Sequence, residues 1–367
     1  MIHKVLISDR DFTAVAEVQD KINSLRWEYN RIGGCGAFSF NVQKRFCREI
    51  EFGTNFNVKI YRKNLTTGDY DLWYQGRIEN KVANVKGQKE EITIKGMGYQ
   101  SVLSDIYVDT DYSSKTVEYI VDDIIDTDVV PNTDITKGTI SATGFTADTY
   151  EVNTDAMSAI QSLSDLAGTR EWGVDENREF YFKARSSTVG FVYPFGRKVL
   201  GFSTDSSYKE MVNRVIVTGG DVAGSPFSRI VNDTSSQTKY GRRDKTIQNS
   251  AIVTNDVADQ FGNALLTEYK SVVRRAKIDI LDEIRIESTI PIPLFQMRPR
   301  GTKWGERKWG TFLWSGLINY QVNRIQYKLD NQSNLTISIQ LGQLRPNIAE
   351  SINQLEHKID QVRQQGV

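Results

Sequence analysis

Tyr208-Lys-Glu-Met-Val-Asn-Arg-Val-Ile-Val-Thr-Gly-Gly220 is the stretch from which the division of this chain follows. Its short apolar run, Val212 to Val217, is broken only by Asn213 and Arg214. Val215 and Val217 alternate with Ile216, so both faces of a strand here are apolar, and a Gly pair stops it. A strand inside a closed or sandwiched sheet has this pattern. Before it lies a helix-then-hairpin unit, Asp155 to Arg185. After it come a helix, Asn255 to Tyr269, and a terminal strand pair, Gly316 to Leu341. The strand is therefore expected to be the seam where a small αβ module hands the chain to a β-domain.

Upstream, the first hundred residues read as antiparallel hairpins with period two. Leu25, Trp27 and Tyr29 alternate with polar neighbours. Gly33-Gly-Cys-Gly36 turns the chain, and Phe38, Phe40 and Val42 alternate on the way back. Phe56, Val58 and Ile60, then Tyr70, Leu72 and Tyr74, then Ile92 and Ile94 continue the series. Only Phe12 to Leu25 is open to a short helix or an extra edge. About six strands without an intervening helix predict a small barrel or sandwich.

From Gln100 the period changes. Val117, Ile120, Val121, Ile124 and Ile125 share a helical face, with Ser113, Ser114 or Lys115 near its start. Ala156, Ala159, Ile160, Leu163, Leu166 and Ala167 mark a second helix, with Asn153 or Thr154 as cap and Gly168 as its end. Trp172-Gly-Val174 and Phe180-Tyr-Phe182 flank a turn. Further on, 221–239 is polar and reads as a loop. Val257, Phe261, Ala264, Leu265 and Tyr269 mark a helix. Ile278, Ile280, Ile284 and Ile286 alternate with charges, and the last strands run through Leu317 to Tyr327 and Leu335 to Leu341. The fold class is mainly β with an α+β insert. Residues 1–100 are expected to form a first barrel, 101–190 the αβ module, 191–345 a second barrel with an inserted helix, and 346–367 a terminal helix.

That terminal helix carries a heptad seam. Ile352 and Ile359 fall at a, and Ile348, Leu355 and Val362 at d. Pro346 precedes it, a suitable entry. Two to three heptads are marginal alone, so it packs on its own domain or serves as an oligomerisation or docking helix. Trp304, Trp309 and Trp314 form a candidate contact loop among basic residues.

Composition narrows the function. The chain has 367 residues, with 46 Lys+Arg against 46 Asp+Glu and 39% apolar content. Two or three ordinary domains fit that length. Zero net charge lacks the basic surplus of a general nucleic-acid or membrane-surface binder. Met1 to Arg10 lacks a charged region followed by an apolar one, so no signal peptide is expected there. No run approaches the roughly 18 apolar residues of a membrane span. Cys35 and Cys47 make no disulfide framework; a single bond between them is conceivable, and two reduced thiols are the favoured reading for a chain made in a cytoplasm.

Catalytic patterns are wanting. His3 and His357 lie at opposite ends without ligand-spaced neighbours, and no CxxC accompanies the two cysteines. Asp122, Asp123, Asp126 and Asp128 lack the glycine and spacing of a calcium loop and read as a solvated helix face. Gly33, Gly34 and Gly36 sit between strands rather than at a strand-to-helix junction, which favours a turn over a phosphate loop. Gly96-Met-Gly98 reads the same way. Arg242-Arg243 and Arg274-Arg275 read as salt-bridge or contact pairs. No enzyme, metal or cofactor is expected.

The ordered motifs resemble a family. Phe56-Asn-Val-Lys-Ile-Tyr61, Leu72-Trp-Tyr-Gln-Gly-Arg-Ile78 and Ile92-Thr-Ile-Lys-Gly96 with Tyr99 are similar to the first tube-like domain of phage tail-tip and baseplate hub proteins. These include the tail-associated, prophage endopeptidase tail-like hubs, with related domains in contractile-tail baseplates and type VI spikes. Ala156 to Phe182 resembles the family's helix and hairpin. Asn213-Arg-Val-Ile-Val-Thr-Gly219 resembles the strand that opens its second barrel, and Val322-Asn-Arg-Ile-Gln-Tyr327 with Leu341-Gly342 its closing strands. The Trp304 to Trp314 stretch has no counterpart in that pattern.

The resemblance implies a structural role. Two barrels per chain would make a pseudo-sixfold ring from a homotrimer, docked on the tail tube or a distal tail protein ring. Such a ring would anchor a distal tip, fibre or spike protein, neighbour a tape measure protein and let genomic DNA pass. Its place is the tail tip of the virion, after synthesis in the host cytoplasm. Two other readings stand beside it. One is a carbohydrate- or receptor-binding tail protein, suggested by Trp304, Trp309 and Trp314. The other is a cell-wall hydrolase, which longer relatives carry.

Overall fold

A computed structural model describes residues 3–18, 21–43, 53–64, 66–86, 89–168, 170–194, 198–209, 211–222, 225–248, 252–281, 284–285, 293–298, 318–329 and 335–342. Seven strands come first: β1 (His3–Ser8), β2 (Ala14–Glu17), β3 (Ile22–Asn30), β4 (Gly33–Gln43), β5 (Asn57–Lys63), β6 (Tyr70–Lys86) and β7 (Lys89–Gly98). A 3-10 turn, Tyr99–Asp105, leads to β8 (Tyr107–Thr116), α1 (Val117–Ile124), β9 (Thr136–Ile140), β10 (Thr146–Asp155) and α2 (Ala156–Ala167). The hairpin β11 (Arg170–Val174) and β12 (Glu179–Ala184) follows, then β13 (Val189–Pro194) and β14 (Val199–Ser207). Next are β15 (Arg214–Val222), β16 (Ser225–Asn232), α3 (Thr234–Tyr240), β17 (Asp244–Gln248) and α4 (Asn255–Tyr269). The chain closes its described part with β18 (Val273–Ile280), β19 (Leu294–Arg298), β20 (Ile318–Tyr320), β21 (Val322–Leu329) and β22 (Leu335–Gly342).

The protein is mainly β, as the alternation predicts. One long sheet runs in the order β14-β18-β22-β21-β3-β4-β7-β6-β5-β1-β2. Its N-terminal and C-terminal strands meet where β21 pairs antiparallel with β3, from Arg324 opposite Asn30 to Lys328 opposite Arg26. The two halves thus share a hydrogen-bonded ladder. They also share one apolar interior, in which Trp27, Phe40, Ile60 and Tyr74 pack with Ile278, Ile325, Ile337 and Ile339. The segment left open at 12–25 holds β2, a four-residue exposed edge strand, and the start of β3.

A second apolar core belongs to the αβ part. Helix α1 turns Val117, Ile120, Val121 and Ile124 inward. Its cap is Thr116, whose hydroxyl accepts from Tyr119 N, one residue beyond the expected ones. Helix α2 is capped by Asp155, which accepts from Ser158 N at 2.9 Å. It ends at Gly168 with φ 70°, a backbone setting that favours glycine. Both caps are polar residues that satisfy an otherwise orphaned N–H.

The strand β15 is not where the sequence pattern puts it. It is the middle of a separate three-stranded sheet, antiparallel to β16 and parallel to β17. Its Val215 and Val217 are buried in the core that α1, α2 and α4 share. Ile216 is only half-buried, so the strand has one covered face rather than two. Asn213 explains the polar break. Its side chain donates to Gly241 O at 2.8 Å and accepts from Arg243 N at 2.7 Å, and so ties the strand to the end of α3. The loop expected over 221–239 holds β16 and α3 instead. α3 is capped by Asp233, which accepts from Ser236 N, and alternation over 225–232 is hidden because most of β16 is exposed. The insert expected within 191–345 is accordingly larger than one helix.

Candidate assembly surface

Glycines set how the module meets the long sheet. Gly33 and Gly34 adopt φ of 101° and 77° and pair in parallel with Gly173 and Val174 of β11. A Cβ on Gly34 would lie 2.2 Å from Val174 O. The Gly-rich segment is therefore less a turn than a landing site where two backbones touch. The glycines read as turn formers begin β4 itself, and their contact is distant in sequence, so no local pattern reveals it.

Around that contact, buried polar groups bind the hairpin to both halves of the sheet. Tyr29 Oη lies 3.1 Å from Tyr181 Oη in the interior. Arg285 reaches three ways: to Leu72 O at 3.0 Å, to Glu176 Oε1 at 3.4 Å and to Asp71 at 3.7 Å. Glu176 is buried, and burial pushes its carboxyl up to about 7, with hydrogen bonding and Arg285 pulling the other way. Lys183, beside Glu171 at 3.8 Å, is held below the usual ammonium range by burial. The groups hold three segments together.

The residues weighed for chemistry have structural surroundings. His3 is buried, its Nε2 2.6 Å from Arg62. Cys35 is buried with a free thiol, which burial pushes up in pKa; Cys47 lies outside the described residues. Lys137 bridges Asp122 and Asp126 at 2.6 and 2.7 Å, so the acidic face of α1 is partly neutralised from β9. Arg242 pairs with Asp244 at 2.6 Å, and Arg275 lies on β18. Among the described residues no group of three or more His, Cys, Asp or Glu is placed to hold a metal. No described helix is long and apolar enough to cross a membrane. Ile348, Ile352, Leu355, Ile359 and Val362, with Trp304, Trp309, Trp314 and His357, lie outside the described residues.

Among the described residues, the candidate surfaces for assembly are the ends and the outer face of the long sheet. β14 stands at one end and β2 at the other, and strand edges present unpaired backbone donors and acceptors. Between them, the outward positions of β18, β22, β21, β3, β4 and β7 form one largely polar face, broken where Ala37 lies opposite Met97, because each strand alternates with its buried residues. Sequence periodicity predicts the alternation within each strand. It does not predict that the faces of both halves join across β21 and β3.

No protein-family model matches the sequence, and no curated protein matches it. Solved structures do. The 43 kDa tail protein of prophage MuSo2 from Shewanella oneidensis is 14% identical with a TM-score of 0.65, over 94% of this chain and 99% of that one. The tail protein from Neisseria meningitidis MC58 is 10% identical with a TM-score of 0.64, over 95% and 98%. Prophage tail protein gp18 from Listeria monocytogenes EGD-e is 12% identical with a TM-score of 0.63, over 97% and 99%. The chain has the fold of these prophage tail proteins along nearly its whole length.

Proposed function

We propose that this chain is a structural hub of a phage tail tip or baseplate. Three copies would close a pseudo-sixfold ring that extends the tail tube, anchors distal tip proteins and lets the genome pass. The observation that carries the reading is the shared fold with three prophage tail proteins over almost the full length of each. The continuous sheet supports it. Two strand-rich halves joined by β21 and β3 would serve each copy as two arcs of wall, and β14 and β2, which end the strand order among the described residues, are where a neighbour would continue the sheet.

In this reading no side chain does chemistry. The buried ionisable groups serve to lock the module to the sheet.

The test is the mass of the purified chain by sedimentation, with electron microscopy of the particles. Rings at three times 41.7 kDa are expected. A monomer at all concentrations, with no ring when a tube protein is added, overturns the reading. Robust hydrolysis of peptidoglycan by the pure protein, abolished by one Asp or Glu substitution, overturns the non-enzymatic part.

A further inference from the structure

The polar face of the long sheet carries its charges in rows. One row crosses four strands: Lys328 of β21 lies opposite Arg26 of β3, Arg26 opposite Ser39 of β4, and Ser39 opposite Lys95 of β7. All three cations are exposed. None of them forms an ion pair among the described residues. With strands about 4.8 Å apart, the row spans roughly 14 Å. The carboxylates of that face, Glu28, Glu91 and Asp279, fall in other rows. Glu28 is already engaged, accepting from Ala37 N at 3.3 Å and lying 3.6 Å from Arg324.

Such a row works against folding. Like charges directly across a ladder destabilise it, and Lys328 faces Arg26 across the joint of the two halves. The chain as a whole is neutral, so the row is not the by-product of a basic protein. Negative charge is concentrated elsewhere: residues 101–168 hold thirteen Asp or Glu against Lys115 and Lys137. The composition of the face also matters. Its other outward positions include Asn41, Thr93, Gln326 and Ser338, without an aromatic side chain. Protein-docking patches are enriched in aromatics and depleted in lysine. A wet, cationic row suits a polyanion read by charge alone.

We infer that this sheet face is a sequence-independent track for the phosphate backbone of double-stranded DNA, with Arg26, Lys95 and Lys328 as its contact residues. The inference rests on the hub reading for its setting, since a ring would bring three such rows around one passage. Its chemistry belongs to the single chain. Each phosphate neutralised releases condensed counterions, so affinity falls with salt in proportion to the number of contacts.

The experiment is fluorescence anisotropy of a labelled duplex, about 30 base pairs long, titrated with the full chain at several salt concentrations. Three contacts per chain give a log–log salt slope of roughly −2.7, or a multiple of it in an assembled ring. Arg26→Gln with Lys95→Gln and Lys328→Gln is expected to weaken binding tenfold or more and flatten the slope. A charge-matched control, Lys115→Gln with Lys209→Gln and Lys239→Gln, is expected to retain most of both. Thermal melting of each variant checks folding, and sedimentation checks ring mass.

Equal losses in the two triple variants overturn the inference, as does absence of wild-type binding at low salt. So does a triple variant that binds DNA normally but loses self-association, which would assign the face to the acidic module of a second copy. A chain that stays monomeric yet binds the duplex through this row keeps the track and removes the ring.

Discussion

Trp27 and Tyr327 stack face to face across the β3–β21 ladder, ring centroids 5.1 Å apart and planes 10° from parallel. Trp27 is among the largest fully buried side chains, and Trp73 meets the same tyrosine edge-on at 5.6 Å. The pair sits where the first and last parts of the chain become one sheet. Trp27→Ala is expected to cost about 3–5 kcal/mol and to lower the urea midpoint in a single transition, because both halves share that interior. Two separate transitions in the wild-type protein, with only one shifted by the substitution, would show that the halves unfold independently.

The buried Tyr29–Tyr181 pair predicts an asymmetry. Tyr29→Phe leaves the Tyr181 hydroxyl buried with a partner removed, at about 1–3 kcal/mol. Replacing both tyrosines by phenylalanine removes the stranded group, so the double variant is expected to be no less stable than the single one. Denaturant melts of the two singles and the double complete the cycle, and strictly additive losses would contradict the contact.

Gly34→Ala combines a left-handed backbone with a Cβ 2.2 Å from Val174 O. Strain of this kind costs about 1–3 kcal/mol before any clash. The hairpin β11–β12 is expected to loosen first, read as faster amide exchange at Gly173 and Val174 than in β21 or β22. Unchanged exchange there would mean that the hairpin does not depend on this approach.

Glu176 gives a pH dependence. Its carboxyl is raised from the ordinary 4.5 to about 7, chiefly by burial. A group whose folded pKa is raised binds its proton more tightly in the native state. Below about pH 4.5 both states are protonated and no penalty exists. As pH rises from 4.5 through 7 the native state loses stability relative to the unfolded chain, by an amount on the order of 3 kcal/mol. Glu176→Gln cannot ionise and keeps an acceptor for Arg285. The stability difference between this variant and the wild type is therefore expected to grow across that window and level off above it. A constant difference from about pH 4 to about pH 8 would remove Glu176 as the cause.

The heptad seam predicts a separable assembly element. Ile352→Asp with Ile359→Asp places charge at both a positions and is expected to leave the long sheet folded while weakening ring formation or capture of a distal tip protein. Sedimentation and tip-protein pull-down measure this. Unchanged mass and capture would mean that the helix packs on its own chain.

Local pattern determined much of this protein. Alternation at Leu25, Trp27 and Tyr29, and at Phe38, Phe40 and Val42, gives strands with one buried face, because side chains on a pleated strand point to opposite sides in turn. The helical spacing in 117–124 and 156–167 gives helices. What only the tertiary structure decided is which faces meet. Val215 and Val217 fit any covered sheet, and nothing in their spacing says that the cover is α4 and that the partners are β16 and β17. Gly33 and Gly34 read as a turn because a turn is the nearest use of a positive φ, whereas the backbone they admit is that of Gly173 and Val174, some 140 positions along the chain. Lys328 and Arg26 are ordinary surface cations in sequence. They become a row only when residues 302 positions apart pair across a ladder. Periodicity is a property of neighbours along the chain, and register between distant strands is fixed by packing, which no window of sequence contains.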